Sequence, residues 1–142
     1  MSTHPAGGQS GRFDWQRQWQ SVVYGRGALA SLAAEVEALG GRRVMVVTTP
    51  SLENEALVLK TVEHALGDRF VGRFAGCRQY APRSTVVASL ERARVLEPDL
   101  LVSLGGGSVV DTAKATALML CEGLRDAAEL DRYRGSGANA CR

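Results

Sequence analysis

The sequence predicts an α/β domain, with a parallel sheet carrying helices on both faces. Three observations lead there. Residues 43–49, 69–75 and 100–104 are short apolar runs with the length and branching of buried strands. Segments with helical spacing separate them, at residues 28–39, 52–66 and 85–96. Three glycines, Gly105 to Gly107, then follow the last strand and lead into a further helical stretch. With a strand or hairpin in front, the order is β-α-β-α-β-α-β-α, and this alternation implies a parallel sheet covered on both sides.

Taken in order, residues 1–12 have almost no apolar content and are expected to form a disordered tail, with His4 inside it. Loose alternation from Trp15 to Tyr24 suggests an edge strand or hairpin, turned by Gly25-Arg26-Gly27. The first helix, about 28–39, carries Leu29, Leu32, Ala33, Val36 and Leu39 on one face and stops at Gly40-Gly41. Val44-Met45-Val46-Val47 is a central-strand signal that ends at Thr48-Thr49-Pro50-Ser51. The next helix, about 52–66, presents Leu57, Val58, Val62 and Leu66, holds His64, and stops at Gly67. After the strand at 69–75 comes a turn around Pro82, and Ser84 is the expected N-cap of a helix at 85–96. A short helix at 127–133 and a flexible tail from residue 135 complete the reading, so the domain spans 13–134.

Composition narrows the function classes. The 45% hydrophobic and 23% charged fractions of this 142-residue chain are those of an ordinary globular domain. A net charge of +2, from scattered arginines with only Lys60 and Lys114 as lysines, gives no basic stripe for nucleic acid. No apolar run approaches the roughly 20 residues of a membrane span, and no signal peptide is visible. Cys77, Cys121 and Cys141 are odd in number and lack metal-ligand spacing, so they read as free thiols in a reducing compartment, the cytoplasm.

The stretch from Asp99 to Lys114 carries the chemistry. Strand, glycine turn and helix start is an arrangement that points backbone N–H groups at a phosphate. A second reading needs no ligand: Ser108 and Asp111 have capping-box spacing, and the glycines then form only a tight turn. The stretch is neither a Walker loop nor Gly-x-Gly-x-x-Gly. The inferred sheet favours the ligand reading, because ligands of open α/β sheets sit beyond the carboxyl ends of the strands. Three loops would meet there: residues 48–51, the segment around Ala81-Pro82, and residues 105–108.

Gly105-Gly-Gly-Ser-Val-Val-Asp-Thr-Ala-Lys114 resembles the Gly-Gly-Gly-Ser-x-x-Asp-x-x-Lys signature of the iron-containing (group III) alcohol dehydrogenases. Two other segments agree in order: Tyr24-Gly-Arg-Gly-Ala at the first helix, and residues 44–50 at the second strand and ribose loop. Phe74-Ala-Gly-Cys-Arg-Gln-Tyr-Ala-Pro82 is most similar to the maleylacetate-reductase-like branch. The resemblance implies a Rossmann-like, dehydroquinate-synthase-like N-terminal domain that binds NAD or NADP, and it covers roughly residues 20–134. Gly106, Gly107, Ser108 and Val109 would hold the pyrophosphate, Thr48 and Thr49 would lie at the adenosine ribose, and Lys114 would complete the signature. Asp111, one turn further in, would face the nicotinamide and substrate as the catalytic-side residue. Two departures bear on the ligand. Thr49 stands where many NAD-preferring members carry an Asp, which removes charge repulsion against a 2′-phosphate, so NADPH is expected to bind no more weakly than NADH. Ala81 stands where many alcohol dehydrogenases carry an Asn.

The family continues into a Pro-Thr-Thr loop and a helical domain whose Asp and three His residues hold Fe2+ or Zn2+. His4 and His64 match none of those ligands, so no metal site is assigned to this chain. The expectation is the truncated nucleotide-binding part of a metal-dependent oxidoreductase acting on an alcohol, carbonyl or maleylacetate-type substrate. Alone it should bind cofactor without turnover. A non-catalytic nucleotide-binding or interaction module is the alternative, and a dehydroquinate-synthase-type lyase fits the signature less well. The expected partners are a dinucleotide and a small substrate, with no nucleic acid or membrane. The oligomeric state is open, a homodimer being one option.

Overall fold

A computed structural model describes residues 11–15 and 20–133; the expected tails at 1–10 and 135–142 lie outside them. Strand β1 (Gly11–Trp15) pairs antiparallel with β2 (Gln20–Tyr24), and this hairpin forms its own two-stranded sheet. The hairpin is as expected, but Gly11 and Arg12 belong to a strand and not to a disordered tail. The front strand also takes no part in the parallel sheet.

That sheet has three strands, β3 (Val44–Thr48), β4 (Phe70–Phe74) and β5 (Leu100–Leu104), in the order β4-β3-β5 and all parallel. Every β3 residue is buried, as befits the middle strand of a sheet covered on both faces. Alternation sends Val44 and Val46 to one core cluster, with Val36, Val62 and Leu66. Met45 and Val47 face the other cluster, with Ala93, Val109 and Ala113. Helices α1 (Leu32–Ala38) and α3 (Ala56–Leu66) therefore cover the first face, and α4 (Arg83–Leu96) and α5 (Gly107–Cys121) the second.

Helix boundaries differ from expectation in ways that local chemistry explains. The first helix begins as a 3-10 turn, Ala28–Ser31, and becomes α-helical only at Leu32. Leu29, in the 3-10 turn, is 39% exposed, and Leu39, at the C-cap of α1, is 71% exposed. The helix expected at 52–66 is two pieces. Thr49 caps a four-residue turn, α2 (Pro50–Glu53), with Pro50 at the first helical position, and the chain restarts at Ala56 after Asn54-Glu55. Within α3 Leu59, Val62 and Leu66 are buried, while Leu57, off that face in the first turn, is 80% exposed. Helix α4 opens after Pro82 rather than at Ser84, which lies inside it. Its far end is closed by Arg43, whose guanidinium donates to the carbonyls of Leu96 (2.6 Å) and Glu97 (2.9 Å). Residues Ala127–Tyr133 are a 3-10 helix against α4 and α5. Among the described residues no helix is long and apolar enough to cross a membrane.

The cysteine reading needs one correction. Cys77 is free and buried, but Cys121 at the end of α5 is disulfide-bonded. Spacing along the chain carried no sign of that bond, because a disulfide is set by the distance between backbones in the fold.

Candidate functional site at the carboxyl edge of the sheet

Because β3, β4 and β5 are parallel, the loops that follow them leave the same edge. Side chains and backbone tie those loops together. Thr48 is fully buried at the end of β3, and its hydroxyl donates to the Leu104 carbonyl at the end of β5 (2.8 Å). The Thr48 carbonyl accepts from Cys77 N–H in the loop after β4 (3.1 Å). Tyr80 N–H, in that same loop, donates to Ser108 Oγ in α5 (3.0 Å). The three loops expected to converge do so.

The turn from β5 into α5 is built around its glycines. Gly105 has φ 151°, a conformation that side chains disfavour, and a Cβ there would stand 2.6 Å from Val109 Cγ2. Gly106 is the N-cap of α5, extended at φ −87° and ψ −166°, with no side chain to cap the helix. A Cβ on Gly106 or Gly107 would meet nothing within 4 Å. The turn therefore leaves open space directly before the helix. Helix geometry leaves the first N–H groups of α5 without intrahelical partners, and a partial positive charge accumulates there.

The capping-box reading of Ser108 and Asp111 is not realised. Ser108 is the second helical residue, not the cap, and its hydroxyl accepts from Tyr80. Helix α2, at the end of β3, is closed instead: Thr49 Oγ1 accepts from Leu52 N–H (3.3 Å) and is 2.9 Å from Ser51 Oγ. Behind the turn, small polar side chains let α4 and α5 pack closely. Thr112 and Thr116 hydroxyls donate to the Ser108 and Thr112 carbonyls, both at 2.8 Å, and Thr116 also bonds Ser89 Oγ at 3.0 Å. Cys77 shares this wall. Burial pushes its thiol above the usual range, against a smaller opposing effect of its hydrogen bond to Thr112.

The other expected residues fall into two groups. Thr48 and Val109 are buried, so a ligand at this edge could reach them only through backbone. Thr49 is half-buried, and Asp111 and Lys114 are exposed on α5, where Lys114 has no ion-pair partner among the described residues. Ser108 is half-buried at the mouth of the turn. Sequence reasoning missed Tyr80 and Cys77 as members of this edge. Only the Pro two residues after Tyr80 hinted at an irregular backbone there. The residues present fit a phosphate group: open space over two glycines, unpaired donors and a helix N-terminus. They do not fit a metal, since no three His, Cys, Asp or Glu residues converge among the described residues.

Residues 20–140 match the iron-containing alcohol dehydrogenase family. Maleylacetate reductase 2 of Cupriavidus pinatubonensis is 38% identical over 115 residues, which are 81% of this chain and 31% of that protein. The crystal structure of maleylacetate reductase from Agrobacterium tumefaciens superposes with a TM-score of 0.61 at 32% identity, over 67% of this chain and 26% of that one. NADH-dependent butanol dehydrogenase A from Thermotoga maritima gives 0.59 at 28% identity, over 66% and 24%. This chain spans under a third of the length of these relatives. Its match across 20–140, with the glycine turn and open helix start at the sheet edge, makes the chain a member of the iron-containing alcohol dehydrogenase family.

Proposed function

We propose that this chain is the dinucleotide-binding part of an oxidoreductase that moves hydride between NAD or NADP and an alcohol, carbonyl or maleylacetate-type substrate. The observation that carries the reading is the uncapped start of α5, where Gly106 and Gly107 leave room for a pyrophosphate. Bound there, the nicotinamide would supply hydride transfer. Gly106, Gly107 and Ser108 bind the pyrophosphate, the first two by close backbone approach and Ser108 by its hydroxyl hydrogen. That hydrogen is available because Ser108 Oγ serves Tyr80 as an acceptor. Thr49 holds the adenosine ribose side, and Asp111 orients the nicotinamide and substrate side one turn along α5. The similarity to an NADH-dependent butanol dehydrogenase and to maleylacetate reductases supports the cofactor and substrate classes.

The described residues present no donor set for a metal. The chain on its own is proposed to bind cofactor without turnover. Calorimetric titration of the purified chain with NADH and NADPH tests the proposal. Saturable binding of both, with NADPH no weaker, is the expected result. Failure to bind either would overturn the reading, a clear NADH preference would overturn the role given to Thr49, and alcohol oxidation by the chain alone would overturn the restriction to binding.

A further inference from the structure

We infer that Tyr80 is a stacking residue for the adenine ring of a dinucleotide whose pyrophosphate lies on the Gly105–Ser108 turn. The inference rests on the reading of that turn as a dinucleotide site. Three observations single out this residue. The Tyr80 N–H donates to Ser108 Oγ at 3.0 Å, which fixes its backbone against the mouth of the turn. Tyr80 is 85% exposed, beside 80% for Leu57 and 75% for Val95, so the fold makes little use of its side chain. Its backbone, with that of Ala81, is left-handed at φ 64° and 44°, within a turn closed by Ala81 N–H on the Arg78 carbonyl (3.2 Å). Glycine would adopt that conformation without strain, yet an aromatic stands there.

A tyrosine held by its backbone beside a phosphate site, with its ring in solvent, has the properties of a platform for a flat base. The Ser108 bond holds the backbone that carries the ring beside the phosphate site, where a base can stack on it. The strand order selects the base. The loop leaves β4, which lies beyond β3 as seen from β5, and so approaches Ser108 from the side of Thr49. The ring therefore belongs to the adenosine half.

The experiment titrates the full chain and three variants with NAD, ADP and inorganic pyrophosphate. Tyr80→Ala is expected to weaken NAD and ADP about tenfold and to leave pyrophosphate unchanged. Tyr80→Phe, which keeps the ring, should restore both. Tyr80→Gly relieves the left-handed strain, so it should melt no lower than the parent while sharing the loss for NAD and ADP; it also guards against a Tyr80→Ala chain that fails to fold. Unchanged ADP affinity in the Ala and Gly variants would overturn the inference. An equal loss for pyrophosphate would also overturn it, by making Tyr80 a support for Ser108 only. Should the parent chain bind pyrophosphate but neither ADP nor NAD, the stacking role falls and a phosphate site stands. If it binds none of the three, the underlying reading of the turn fails.

Discussion

Two helices begin at the same edge of this sheet, and they begin differently. Helix α2 follows β3 and is closed by its own chain: Thr49 accepts from Leu52 N–H and Pro50 removes a donor at the first helical position. Helix α5 follows β5 and is left open. Gly106 offers no capping side chain, Gly107 adds none, and the Ser108 hydroxyl turns sideways to the Tyr80 backbone. A four-residue helix is closed by its own side chain, while a fifteen-residue helix with a larger dipole is not. Side-chain capping stabilises the α2 start but not the α5 start. An uncapped helix of that length, with open space before it, supports the proposed anion site.

The comparison can be broken from several directions. Gly105→Ala should have the largest effect. It forces a side chain into φ 151° and against Val109, and we expect a loss of about 2–4 kcal/mol in chemical denaturation. A loss below about 0.5 kcal/mol would show that the turn is looser than its geometry implies. Thr49→Ala removes the α2 cap and should cost about 1 kcal/mol. Its effect on pyrophosphate affinity should be nil, because that helix start is already satisfied from within; a tenfold loss would merge the two helix starts into one site.

The smallest effect comes from the opposite edge of the sheet. Asp99 accepts from Arg42 N–H (3.0 Å) and Arg43 N–H (2.9 Å), and the Arg43 bond chiefly holds its carboxyl below the usual aspartate range. A depressed folded-state value means that the ionised form stabilises the fold. That contribution is present above the ordinary aspartate value of about 3.9 and disappears as pH falls through the lower folded-state value. Asp99→Asn should therefore melt lower than the parent at pH 7, with the gap closing towards pH 3. A gap that is constant or grows on acidification would contradict the assignment.

Much of this edge was legible in the sequence, for identifiable reasons. Val44 to Val47 are β-branched or apolar without interruption, and such a short run between turn signals suits a strand buried on both faces. Gly105 to Gly107 after such a strand signalled a turn that side chains could not make. The failures share one physical origin. Periodicity counts residues along one ideal helix, so it could not see the 3-10 turn before Leu32 or the break at Asn54-Glu55, nor that Leu39 and Leu57, near helix ends, stay exposed. Local rules named Ser84 and a Ser108–Asp111 box as caps, while the fold set the helix starts at Pro82 and Gly106. Tyr80 was invisible because its role depends on a bond to a residue 28 positions away.

Gly107→Ala separates a ligand role for the open start of α5 from a role in stability. The added methyl meets nothing within the chain and Ala is the better helix former. Stability should be unchanged or raised, by up to about 1 kcal/mol, while pyrophosphate and NADH affinity by calorimetry falls at least tenfold. Undiminished affinity in a stable variant would rule out the proposed phosphate site.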